Sequence, residues 1–362
     1  MRAFRCDVCT ARVAFESPRC LSCGSALGYS VTAGRVVALL DDDGFRPATG
    51  APVERRCANA GIAACTWVVP EDVPSGLCLC CRLTRTRPND DDPEALAAFA
   101  RTEAAKRRLV YQLLDLRLPV VPWTDGGDLA FDLLSSRDHP VTTGHAGGVI
   151  TLDLAEGDDA HREAVRADLG EPYRTLLGHL RHEIGHYYWR PLVGEPPLLE
   201  AFRSLFGDER ADYAAAAGRH YADGPPEGWG ERHVSAYATM HPWEDWAESF
   251  AHYLHLRDVL QTAHAYGLSA GGAPAGADGV PGDAGIEELV AAWLPLSYGL
   301  NALNRSMGKD DPYPFVLTPA VVAKLGVVHA AVDRRGSGFS PVRAEPARRP
   351  GDAPSRGAST VP

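Results

Sequence analysis

No run of apolar residues in this chain approaches the ~20 that a bilayer-spanning helix requires, so no membrane segment is expected. An apolar signal core is missing too. Met1-Arg2-Ala3-Phe4-Arg5 leads straight into Cys6, which predicts a cytoplasmic protein. Positive charge is scarce: the formal net charge is −11, and residues 1–87 hold only 11 Lys/Arg against 8 Asp/Glu. Eight metal-bound thiolates and two zinc ions would take that segment to about −1, so a nucleic-acid partner is not expected. Cysteine is absent after residue 81. Disulfides are unusual in the cytoplasm, so nine cysteines packed into one end of the chain point to metal, and their segregation marks a domain.

Cys6-x-x-Cys9 and Cys20-x-x-Cys23 are paired knuckles, each a tight turn that aims two thiolates at one ion. Their ten-residue gap suits a small β-hairpin ribbon. Four thiolates fill the coordination sphere, so this zinc would be structural. A second, less regular set is Cys57, Cys65, Cys78 and Cys81, with Cys80 left over. It forms either a second four-cysteine site or a group of buried free thiols. One or two structural zinc ions are therefore expected. With so little positive charge, a stabilising or partner-docking role suits the ribbons better than nucleic-acid binding.

The chemistry concentrates at His182-Glu183-Ile184-Gly185-His186. On a helix, residues four apart share one face, so both imidazoles can address a single Zn²⁺ with Glu183 beside them as general base. Apolar Tyr173, Leu176, Leu177, Leu180 and Ile184 follow a helical period, with Pro172 placed to start the helix and Pro191 to stop it. Before it, Gly148 to Leu154 alternates like a strand, where a metallopeptidase would pair an extended substrate.

The 362 residues suggest two or three domains. Residues 1–87 form the zinc-ribbon region, 88–330 an α+β catalytic domain, and 331–362 a disordered tail rich in Arg, Pro, Gly and Ser. A long helix is expected from Glu94 to about Leu118. Short strands and turns follow to Val149, and Leu192–Phe206 reads as a connection. Asp208 and Glu209 then open an alanine-rich helix. A further helix starts at Pro242, and residues 269–285 form a flexible Gly/Ala/Pro loop.

A catalytic zinc needs a third protein ligand. The pattern H-E-x-x-H-x-x-G-x-x-H is excluded by Trp189 and Leu192. Two acidic candidates remain. Asp208 or Glu209 is nearer in sequence. Glu244 is more distant, but Glu248 lies one turn on, able to hold a ligand histidine by its other nitrogen, and tryptophans flank it to bury the helix. These features favour Glu244 and leave Asp208 and Glu209 to helix capping. His220, His233, His241, His252 and His255 could also approach the cleft, each more readily placed as a surface or packing residue.

Tyr237 with Glu244, Ala247, Glu248 and Phe250 resembles the Y-x(6)-E-x-x-A-E-x-F signature of anthrax-lethal-factor-like gluzincin peptidases. That resemblance implies a zincin-like (gluzincin) fold, Glu244 as zinc ligand and Tyr237 as donor to the developing oxyanion. Through Cys6–Cys23, Cys78–Arg87, Ala105–Pro119, Ile150–Trp189, Phe206–Tyr221 and Ser235–His255, over about residues 1–325 without the Gly/Ala loop and the tail, the chain more closely resembles a bacterial family of zinc-binding metallopeptidases with an N-terminal zinc ribbon. The expected activity is peptide-bond hydrolysis at one catalytic zinc held by His182, His186 and Glu244. The rivals are a non-catalytic scaffold that binds a peptide or partner, and another zinc-dependent amide hydrolase. An intact Glu183 argues against the scaffold, which has no need of a base.

Overall fold

A computed structural model describes residues 1–39, 44–45, 53–137, 139–169, 173–270 and 285–336. The loop expected at 269–285 and the tail expected from 331 therefore lie mostly outside the described residues.

The N-terminal region is two small β-units. Strands β1 (Phe4–Arg5) and β2 (Arg12–Val13) pair antiparallel around the first knuckle, and β3 (Leu27–Ser30) and β4 (Arg35–Ala38) form a hairpin. Strands β5 (Gly44–Phe45), β6 (Glu54–Arg56) and β7 (Val68–Pro70) make an antiparallel sheet. The units are stitched where the Tyr29 N–H donates to the Thr66 carbonyl at 2.8 Å.

After the short helix α1 (Leu79–Arg82) comes β8 (Thr84–Thr86), then the long helix α2 (Pro93–Asp115), capped by Asp92 through the Ala95 N–H. Strands β9 (Ala130–Leu134), β10 (Gly144–Ala146) and β11 (Val149–Asp153) complete a sheet of order β10–β11–β9–β8. β8, β9 and β11 run parallel, and β10 folds back on β11 through a turn whose glycines, Gly147 and Gly148, have φ of +56° and +87°. The strand expected to receive substrate is therefore interior: β11 is covered on one side by β9 and on the other by β10. Its run of β-formers, Val149-Ile150-Thr151-Leu152, suits that position better than an edge.

Helices follow: α3 (Asp159–Leu169), α4 (Leu176–Val193), α5 (Leu198–Phe206), α6 (Tyr213–Asp223), α7 (Pro242–Ala265), α8 (Ile286–Ser306) and α9 (Pro319–Gly336). α4 begins at Leu176, with Thr175 accepting from the Gly178 N–H, and Pro172 lies outside the described residues. The helix also runs through Pro191 to Val193. A proline in a last turn forfeits only one intrahelical bond there, and buried Leu192 and Val193 offset the loss. Leu192–Phe206 is not a plain connection, because α5 occupies its second half and buries Leu198, Phe202 and Phe206. α6 is capped by Asp212, not by Asp208 or Glu209. Residues 331–336, expected at the start of the tail, belong to α9, which buries Val321, Leu325, Val328, Ala331 and Val332 and whose β-branched residues gave little helical signal.

α4 and α7 form the core's central pair. Gly185 makes their approach possible. A Cβ there would lie 3.1 Å from Ala247 Cα and 3.2 Å from Phe250 Cβ, and the bare Gly185 carbonyl accepts the Trp246 indole N–H at 2.9 Å. α2 runs behind both. Its Gln112 donates to the Leu254 carbonyl on α7 and accepts from Arg181 on α4. One turn earlier, buried Arg107 donates to the carbonyls of Ala63 and Ala64, next to Cys65. Tyr111 joins Phe4, Phe15 and Tyr29 in an aromatic cluster. One helix thus braces the ribbons and the α4–α7 pair together.

Candidate metal centre

Helical spacing puts His182 and His186 on the α4 face toward α7, and α7 answers with Glu244 in its first turn. His182 Nε2 is 3.0 Å from Glu244 Oε2 and 3.2 Å from His186 Nε2, and the third side, His186 Nε2 to Glu244 Oε2, is 3.3 Å. Bonds of 2.0–2.1 Å to a tetrahedral zinc would set such edges at about 3.3–3.4 Å. The triangle therefore has the dimensions of three zinc ligands.

Charge points the same way. Glu183, Glu244 and Glu248 are brought together with two imidazoles at the α4–α7 seam, and the first two carboxylates are buried. Burial opposes a charge on His182, but Glu244 at one ring nitrogen and Glu248 at the other outweigh it and raise its pKa well above the usual value. Burial likewise works against the Glu244 anion, yet hydrogen bonds from His182 and His186 hold its carboxyl well below the ordinary range. His182, His186 and Glu244 thus form a group that could hold a metal ion.

Around the triangle, His182 Nδ1 meets Glu248 Oε1 at 2.7 Å, and Glu248 Oε2 accepts the Ser235 hydroxyl at 2.6 Å. Glu183 faces the same cleft. Burial lifts its pKa, and its Oε2 has no hydrogen-bond partner among the described residues. Tyr237, in a short 3-10 turn, places its ring 5.8 Å from that of His182. The cleft of about 390 Å³ is also lined by Thr143, Gly144 and His145 of the β10 edge. His145 accepts the Gly148 N–H through Nε2 at 3.2 Å and stacks beside His186.

Asp208 and Glu209 do not join the triangle. Asp208 pairs with Arg210 at the surface and Glu209 with Arg203, so neither caps α6. Their segment does reach the centre, through a residue the sequence reading passed over: Tyr213 donates its hydroxyl to Glu244 Oε1 at 2.9 Å. Ser235 was missed as well. Tyrosine and serine carry no ligand signal, and only the fold brings these two into contact with acids 31 and 13 residues further along the chain. His241 is a cap, its Nδ1 accepting the Trp243 N–H at 3.1 Å. His252 and His255 pack in an aromatic pocket around Tyr313.

Both cysteine sets converge. Sγ separations are 3.7 Å for Cys6–Cys23, 3.6 Å for Cys9–Cys20 and 3.7 Å for Cys65–Cys78. Zn–S bonds of 2.3 Å set tetrahedral edges at about 3.8 Å, whereas a disulfide needs about 2.05 Å. These distances fit zinc and exclude disulfides. Cys80 is buried outside the second set.

Residues 95–331 match the profile of a family described as "Putative zinc-binding metallo-peptidase", and residues 3–92 match a zinc-ribbon domain. Uncharacterised proteins of Mycobacterium bovis and of two Mycobacterium tuberculosis strains are 52% identical over 344 residues, covering 94% of this chain and 98% of theirs. No solved structure matches. With the ribbon cysteines gathered into fours behind a mixed α+β domain that carries H-E-x-x-H, the chain belongs to this zinc-binding metallopeptidase family and bears the zinc-ribbon domain at its N-terminal end.

Proposed function

We propose that the protein is a gluzincin-type peptidase that hydrolyses peptide bonds, with His182, His186 and Glu244 as the ligands of one catalytic zinc and the two cysteine sets as structural zinc sites. When bound, zinc supplies Lewis acidity, lowering the pKa of water and polarising a carbonyl. Glu183 takes the proton of the attacking water and returns it to the departing amine. Burial, by raising its pKa, brings the carboxylate nearer to neutrality as a base. Glu248, braced by Ser235, fixes the His182 ring through Nδ1. Tyr237 donates to the oxygen that becomes negative as the carbonyl carbon turns tetrahedral. β10 is the strand that borders the cleft, so an extended peptide would lie along Gly144–Ala146, correcting the expectation placed on β11.

The observation that carries this reading is Glu183 itself, a buried carboxylate with one unpartnered oxygen beside a ligand triangle. A binding scaffold gains nothing from that costly arrangement. Glu183→Gln preserves shape and removes the base. Zinc content should stay unchanged while cleavage of a peptide library falls by roughly 10²–10⁴-fold. Undiminished cleavage by the variant would sink the mechanism.

A further inference from the structure

The two carboxylate oxygens of Glu244 have different partners. Oε2 lies 3.0 Å from His182 Nε2 and 3.3 Å from His186 Nε2, whereas Oε1 accepts the Tyr213 hydroxyl at 2.9 Å. We infer that Tyr213 is a positioning residue of the metal centre: its hydroxyl occupies Oε1, so that Glu244 addresses the cation through Oε2 alone. This rests on the reading of His182, His186 and Glu244 as zinc ligands. A carboxylate bound through both oxygens would take up the coordination position that substrate or water needs. The Tyr213 hydrogen bond discourages that binding mode.

The surrounding segment is built to hold Tyr213 in place. Tyr213 is the first residue of α6, and Asp212 caps that helix by accepting from the Ala215 N–H at 3.0 Å. The Ala211 carbonyl accepts the Nε2–H of His241 at 3.0 Å, while His241 Nδ1 accepts the Trp243 N–H at 3.1 Å. These two bonds set the tautomer, with Nε2 donating and Nδ1 accepting. His241 is thus a strut between the segment that delivers Tyr213 and the first turn of the helix that delivers Glu244. The Tyr213 and His241 rings meet edge to face at 5.3 Å. At the far end of the same segment, Gly207 holds φ +105° beside Pro242, where a Cβ would come within 3.2 Å of the proline ring. Tyr213 is therefore registered to α7 at two points besides its hydroxyl.

Tyr213→Phe keeps the ring against His241 and deletes only the donor. Zinc affinity at the histidine site, measured by chelator competition on the full chain, should weaken roughly 10–100-fold, with both cysteine sites retaining their zinc. Tyr221→Phe, on the same helix with an exposed side chain, should leave it unchanged. Tyr213→Phe within twofold of wild type overturns the inference, and so does an equal loss in Tyr221→Phe, which would indicate a disturbed helix. His182→Ala is measured alongside. If that variant keeps the same zinc, the ligand triangle itself is misassigned and the inference falls with it. If His182→Ala loses the zinc while Tyr213→Phe does not, only the role of Tyr213 is wrong.

Discussion

Glu244 and Glu248 flank His182, the hydroxyls of Tyr213 and Ser235 donate in turn to those two carboxylates, and the acids and the hydroxyls differ in how far they could be read in advance. Glu244 and Glu248 were visible because a turn of helix separates two acids between tryptophans. The choice of Glu244 over the nearer Asp208 is a matter of a single side chain, and it is testable at that scale. Glu244→Ala should weaken zinc binding at the histidine site by more than the roughly 100-fold that loss of an outer partner can cause, and activity should fall with it. Asp208→Ala removes only an exposed pairing with Arg210 and should leave zinc titrations superimposable on wild type. Equal effects of the two substitutions would contradict the assignment. Ser235 and Tyr213 were illegible for a physical reason: a hydroxyl gains its role only when a buried carboxylate is placed within its reach, and no local pattern encodes that meeting.

At the scale of elements, local signals located the metal helix, the helix from Pro242 and the long α2, whereas edges and β-branched helices escaped. β11 was recognised as a strand, but its neighbours are a matter of topology. α9 was not recognised, since its valines favour strands. The α4–α7 seam depends on the glycine inside H-E-I-G-H, which the metal motif alone leaves free to vary. Gly185→Ala puts a methyl against backbone and Cβ atoms that cannot yield easily, so it should cost about 1–3 kcal/mol and displace Glu244 from the two histidines. Gly218→Ala in α6 meets nothing within 4 Å and should instead stabilise by about 0.5–1 kcal/mol. Denaturant midpoints and zinc content of the two variants check both signs. A Gly185→Ala protein as stable as wild type, with full zinc, would show that the seam tolerates separation.

Taken as a whole, the described residues hold three groups that could bind a metal ion, with unlike protection. The second cysteine set is buried throughout, the first includes the exposed Cys23, and the histidine site opens on the cleft. The protein should bind about three zinc ions. A chelator should take zinc from the cleft and the first ribbon faster than from the second set. Time-resolved release that empties the Cys57–Cys81 set first would contradict this order. Because Arg107 and Gln112 tie that set to α4 and α7 through α2, its eventual loss should loosen the histidine site as well.

The short β10 strand has another consequence, for self-association. An edge open to a substrate backbone is equally open to the backbone of a second copy, and long exposed edges template aggregation. Here both rims of the sheet, β10 and β8, are three residues long, about 10 Å of strand. The positive-φ turn at Gly147 and Gly148 ends β10 abruptly. A rim that short is too brief to nucleate a growing intermolecular sheet, and under the proposed function it would take only a short stretch of peptide in register.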